Sequence, residues 1–134
     1  MSKPRMKVYR ADTKNDFKLL NHVNSRYGFN ALFFTTNIEL AEKYAESFNN
    51  KGTIYEFELN PILDSVDYKG RISHSSHFRS LIHRLYKEGK SSVIIKNVYD
   101  YPSFKSYYPN KSDLIVVFDF SEIISLKKYE QTED

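Results

Sequence analysis

Three short apolar runs limit what this chain can fold into. Ala31–Thr35, Ser92–Ile95 and Leu114–Phe118 are each too short for a helix and rich in aromatic or β-branched side chains, so each predicts a buried strand. Thr53–Leu59 predicts a fourth, half-exposed strand. Its residues alternate, with Tyr55, Phe57 and Leu59 on one face and Glu56 and Glu58 on the other, and Asn60-Pro61 ends it. Lys7–Ala11 predicts an opening strand, and Glu122–Leu126 a last edge strand ahead of a polar tail, 129–134, expected to fray.

Helical periodicity separates these strands. Phe17, Leu20 and Val23 recur at near-helical spacing from Thr13 to about Asn24, with Asp16 three residues after Thr13 as in a capping box. After a loop at Arg26–Asn30, Thr36 and Glu39 form a second capping-box pattern. Ile38, Ala41, Ala45 and Phe48 then mark one face of a helix ending near Asn49-Asn50. Phe78, Leu81, Ile82 and Leu85 give the strongest helical stripe, stopped by Gly89. At 134 residues the chain suits one hydrophobic core, so the expectation is a single α+β domain spanning 1–134, with all motifs serving one site.

Composition excludes several chemistries. With no cysteine, disulfides, thiolate metal sites and a cysteine nucleophile are ruled out. His74, His77 and His83 are not joined by a carboxylate or further histidine at metal-ligand spacing, so no metal is expected. No apolar stretch approaches the roughly 18 residues of a membrane span, and Met1–Arg5 leads into a charged strand. The expected location is therefore cytoplasmic, with no membrane partner. The net charge of +3 is unevenly spread. Residues 69–111 carry nine lysines and arginines against Glu88 and Asp100, leaving the rest of the chain net negative. A basic segment of this kind suits phosphates, nucleic acid or an acidic partner, or else a solvated helix face.

The order of the segments resembles a known family. Tyr9-Arg10 ends the first strand, and Leu32-Phe33-Phe34-Thr35-Thr36-Asn37 runs on to Ala41-Glu42-Lys43-Tyr44-Ala45. Thr53–Pro61, a helix closed by Gly89, Val93–Asp100 and Ser112–Ile123 follow. Together they are similar to the small bacterial and phage ADP-ribosyltransferase-like proteins, from about Val8 to Ile124. The resemblance implies split mixed and antiparallel sheets with flanking helices and an NAD-type cleft. The implied activity is mono-ADP-ribosyl transfer from NAD, the substrate, to a macromolecular acceptor, a protein or a nucleic acid, in the manner of a phage or bacterial effector.

Within that resemblance Arg10 matches the first-strand arginine that contacts phosphate or ribose, a task suited to a fixed planar cation. Thr35 and Thr36 fall where hydroxyls support the ribose, although Thr36 also suits helix capping. Tyr44 matches an aromatic that lines the nicotinamide slot. The third motif departs from the family: active members place a glutamate where this chain has Asp113, one methylene shorter, as the catalytic carboxylate. The alternative is a catalytically degenerate module of the same fold. It would recognise a protein or nucleic acid through the basic aromatic loop of Tyr99, Tyr101, Phe104, Tyr107 and Tyr108 with Lys96, Lys105 and Lys111. Such aromatics also pack on their own domain.

Overall fold

The computed structural model describes residues 5–12, 23–24, 26–48, 52–103 and 107–130. Its strands are β1 (Met6–Asp12), β2 (Val23–Asn24), β3 (Phe29–Asn30), β4 (Leu32–Thr35), β5 (Thr53–Leu59), β6 (Ser65–Ile72), β7 (Ser92–Tyr99), β8 (Lys111–Val117) and β9 (Ile123–Lys128). Two helices stand among them, α1 (Ile38–Ser47) after β4 and α2 (Ser76–Lys87) after β6. The chain is thus a mixed α/β domain. The predicted helix over Thr13–Asn24 lies almost wholly outside the described residues. Its last two positions instead form β2, which pairs with β3 in a small hairpin.

Seven strands form one mixed sheet in the order β6-β7-β8-β4-β1-β5-β9. Only β6 and β7 run parallel, joined by a crossover through α2. The expected division into two sheets appears as one ladder with a weak middle, since β1 and β4 share the single pair Tyr9↔Thr35. By contrast, β1 and β5 pair from Met6↔Leu59 to Asp12↔Thr53.

The sheet's two faces bury two cores. Alternation along β7 and β8 sends Val93, Ile95, Leu114 and Val116 to one face, where they meet the α2 stripe of Phe78, Leu81, Ile82 and Leu85 and Leu40 of α1. Ile115 and Val117 point the other way. There they join Leu32 and Phe34 of β4 and Val8, Tyr55, Phe57 and Leu59 of β1 and β5. Phe34 meets Phe57 edge-on at 4.7 Å, so the two halves of the sheet share this second core.

Local choices fix the helix ends. The cap of α1 is Asn37, not Thr36: Asn37 Oδ1 accepts the Glu39 amide at 3.0 Å, and Thr36 is exposed. Ser75 caps α2 by accepting the Phe78 amide at 3.2 Å. Gly89 follows α2 at φ +78°, a left-handed turn that suits glycine at a helix C-terminus. Tyr129, expected to fray, is held in place, since its amide bonds to Ile54 O at 2.8 Å and its ring meets Tyr9 edge-on; the expected fraying of 131–134 lies outside the described residues.

Glu56 corrects the simple alternation of β5. Alternation leaves it in the open, yet it is buried (8% exposed), because Lys7 of β1 and Lys127 of β9 close over it at 3.9 and 3.2 Å. Cations on both neighbouring strands allow the carboxylate to be covered.

Candidate functional site

A cavity of about 730 Å³ opens beside the weak β1–β4 junction, within the usual size range of small-molecule pockets. Arg10 of β1 and Thr35 of β4 form one wall, Tyr44 of α1 a second, and Arg26 and Tyr27 of the β2–β3 turn a third. The fourth comes from Ser73–Ser76 and Arg79 at the start of α2, with Asp100 just past β7.

Three of the residues singled out from the sequence meet here. Arg10 is largely withdrawn from water and donates from Nη1 to the Phe33 carbonyl at 3.2 Å. Burial lowers its proton affinity, opposed by nearby Asp12 and Tyr44. Thr35 is buried, and its Oγ1 accepts the Asn37 amide at 3.0 Å, shaping the turn into α1. The Tyr44 hydroxyl donates to Asp100 Oδ1 at 2.7 Å. Burial first, and Asp100 second, push the Tyr44 phenol far above the ordinary tyrosine value, so it stays a neutral donor. Thr36 does not line the cavity.

Asp113 does not reach the cavity either. It sits on β8 between Ser112 and Leu114, so alternation turns it to the opposite face with Ile115. There its Oδ1 accepts the Asn97 amide at 3.2 Å. Among the described residues, the carboxylate that lines the cavity is Asp100, which is 7% exposed. Besides the Tyr44 phenol, its Oδ1 accepts the Ser73 hydroxyl at 2.5 Å, and His74 Nε2 lies 3.9 Å away while bonding the Tyr101 carbonyl. Every hydrogen bond to Asp100 among the described residues ends on Oδ1.

A bulge explains how Asp100 enters. Strict alternation from Val93 and Ile95 puts Asn97 and Tyr99 on the cavity face. Instead the register shifts between Ile95 and Val98, Asn97 takes φ +61°, and Val98 and Asp100 take that face. The Asn97 amide is held by Asp113, and its side-chain amide donates to Asp67 Oδ1 at 3.0 Å. Asp67, hydrogen-bonded also by the Lys69 amide, is held below the ordinary carboxylate value by those bonds, the one from Asn97 first. Sequence reasoning missed Asp100, because only the bulge reverses its side and the bulge leaves no periodic mark.

The described residues of the aromatic loop pack largely on their own domain. Tyr101 and Tyr108 are buried, and the Tyr108 hydroxyl donates to Glu39 at 3.1 Å and accepts from Asn37 at 2.7 Å, tying the loop to the start of α1. Tyr107 is half exposed with its ring edge-on to Tyr101. Phe104 and Lys105 lie outside the described residues. No group of three or more His, Asp or Glu side chains disposed to hold a metal occurs among the described residues. Nor is any helix among them long and apolar enough to cross a membrane.

No protein-family model, no curated protein and no solved structure matches the chain.

Proposed function

We propose that this protein is a mono-ADP-ribosyltransferase of the ADP-ribosyltransferase-like fold. In this reading the cavity binds NAD, and Asp100 is the carboxylate that faces the reacting ribose. One observation carries it: Arg10, Thr35 and Tyr44, each matched to the family separately by sequence, line one cavity together with a buried carboxylate, Asp100. The weak β1–β4 junction further suits a fold whose sheet divides there.

The chemistry follows from the charge arrangement. The bond between nicotinamide and the ribose anomeric carbon breaks with its electron pair going to nicotinamide, so the ribose gains oxocarbenium-like charge. A carboxylate facing that carbon stabilises it. The Tyr44 and Ser73 hydroxyls fix Asp100 through Oδ1, and Oδ2 is then the oxygen presented to the ribose. A nucleophile of the acceptor closes the new bond at the anomeric carbon and gives up its proton. Arg10 faces the phosphate or ribose, and the ring of Tyr44 lines the nicotinamide slot.

The test is nicotinamide release and label transfer from NAD labelled in its adenylate, with a macromolecular lysate as acceptor. Wild type is expected to label an acceptor. Asp100→Asn is expected to lose about a hundredfold or more, the scale of one electrostatic group in a transition state. Absent release, or release that Asp100→Asn leaves unchanged, defeats the proposal. No saturable binding of NAD or ADP-ribose marks instead the degenerate module that recognises a protein or nucleic acid through the basic aromatic loop.

A further inference from the structure

We infer that Arg26 and Arg79 form a clamp for the phosphates of a nucleotide diphosphate at the mouth of the cavity. The inference rests on the nucleotide reading above and extends it to residues that no sequence motif picks out.

Charge balance points to an anion. Among the described residues, Arg10, Arg26 and Arg79 line the cavity with one carboxylate, Asp100, whose Oδ1 already accepts two hydroxyls; Arg10 lies near Asp12, so the charge of interest is that of Arg26 and Arg79. Arg26 and Arg79 are exposed, and neither makes an ion pair among the described residues, although Arg84 and Arg5 find glutamates. They come from different elements, the β2–β3 turn and α2, and line the same cavity as Tyr27, whose phenol burial pushes up against the opposing charges of Arg26 and Arg79. The backbone at Arg26 is held: its amide donates to Asn24 Oδ1 at 3.0 Å, and the Asn24 side chain is anchored in turn on the Ala31 carbonyl. Two planar cations facing one space fit the paired charges of a diphosphate.

The placement of Arg79 adds a second argument. A helix N-terminus carries partial positive charge and ordinarily attracts acidic side chains, as Glu39 in the first turn of α1 illustrates. The first turn of α2 holds no acidic residue, and Arg79, whose amide closes its first turn onto the Ser75 carbonyl, adds a cation instead. Such a choice opposes stability. At a cavity wall beside Ser75 and Ser76, it makes sense where a bound anion neutralises both charges.

Calorimetric titration of the full chain with ADP-ribose, ADP, inorganic pyrophosphate and adenosine tests the clamp. The phosphate-bearing ligands are expected to bind wild type. Arg26→Gln and Arg79→Gln should each weaken them about tenfold, the loss of one charge-assisted contact, and leave adenosine unchanged. Arg79→Gln should melt at or above the wild-type temperature, since it relieves the charge at the helix end. Equal affinity for ADP-ribose in wild type and the double variant, or no binding of any phosphate-bearing ligand, overturns the inference. So does a lowered melting temperature for Arg79→Gln. The transferase reading fails separately: arginine-dependent ADP-ribose binding without nicotinamide release from NAD removes the transfer chemistry and leaves the clamp standing.

Discussion

The Asp113 carboxylate accepts the Asn97 amide at 3.2 Å, and through it supports the bulge that turns Asp100 toward the cavity. Two carboxylates on opposite faces of the sheet thereby divide the work, one holding the backbone and one lining the cavity. Asp113→Ala removes the acceptor and is expected to cost about 1 kcal/mol in urea unfolding, the net worth of one hydrogen bond. Asp113→Asn keeps an oxygen in the same place and is expected to match wild type in stability and in nicotinamide release. A loss of release in Asp113→Asn as deep as that in Asp100→Asn would move the reactive carboxylate to Asp113.

That division explains which parts were readable in the sequence. The stripe Phe78, Leu81, Ile82 and Leu85 and the runs at β4, β7 and β8 announce themselves, since burial of one face imposes a period. Arg10, Thr35 and Tyr44 could be placed by motif order, and the cavity gathers all three. Strand β6 could not be seen, because Tyr68 alone of its residues is buried and Lys69-Gly70 interrupts it at positive φ. Asp100 was hidden for a related reason. A residue two positions past Val98 changes faces when one residue is inserted upstream, and pattern reading counts residues rather than bulges.

Tyr44 ties α1 to Asp100, so its removal should be felt in stability as well as in turnover. Tyr44→Phe leaves a buried carboxylate oxygen short of a donor and is expected to cost about 1–3 kcal/mol by chemical denaturation. Its titration supplies the sign of a pH effect. The folded phenol holds its proton far more tightly than the unfolded one, so this contribution is complete below about pH 10, where an unfolded tyrosine ionises. It is lost progressively as pH rises above that value. Unfolding free energy measured from pH 8 to 11 should fall less steeply in Tyr44→Phe, and an identical slope in both proteins would contradict the assignment.

Gly52 marks a close approach between the end of α1 and β1. A Cβ built there would lie 2.4 Å from Phe48 Cδ2 and 2.9 Å from the Asp12 carbonyl oxygen. The phenyl ring can swing away, but the carbonyl belongs to the last pair of the β1–β5 ladder, Asp12↔Thr53. The Gly52 amide is meanwhile held to Ala45 O at 2.8 Å, which limits retreat. Gly52→Ala is therefore expected to lose about 1–3 kcal/mol by thermal unfolding, the usual cost of forced overpacking. Gly28, with nothing within 4 Å of a built Cβ but φ +82°, offers a contrast: Gly28→Ala should cost about 1 kcal/mol through backbone strain alone.

Glu56 offers the last test, because its burial depends on two lysines that alternation does not reveal. Its side chain is 10% exposed between Lys7 and Lys127, whose own side chains are 56% and 73% exposed. The pair energies are therefore screened by water on the lysine side, and a deeply buried ion pair is the wrong comparison. Removing one lysine leaves the carboxylate with the other, so Lys127→Ala is expected to cost under about 1 kcal/mol. Removing both strips a buried carboxylate of its cations, and the double change Lys7→Ala with Lys127→Ala should exceed the sum of the single losses. Glu56→Gln, which keeps shape and hydrogen bonding without the charge, should recover most of that loss in the double-lysine background. Urea unfolding of the set measures the coupling directly. Strict additivity would mean that Glu56 stays covered by packing from the neighbouring strands rather than by its cations.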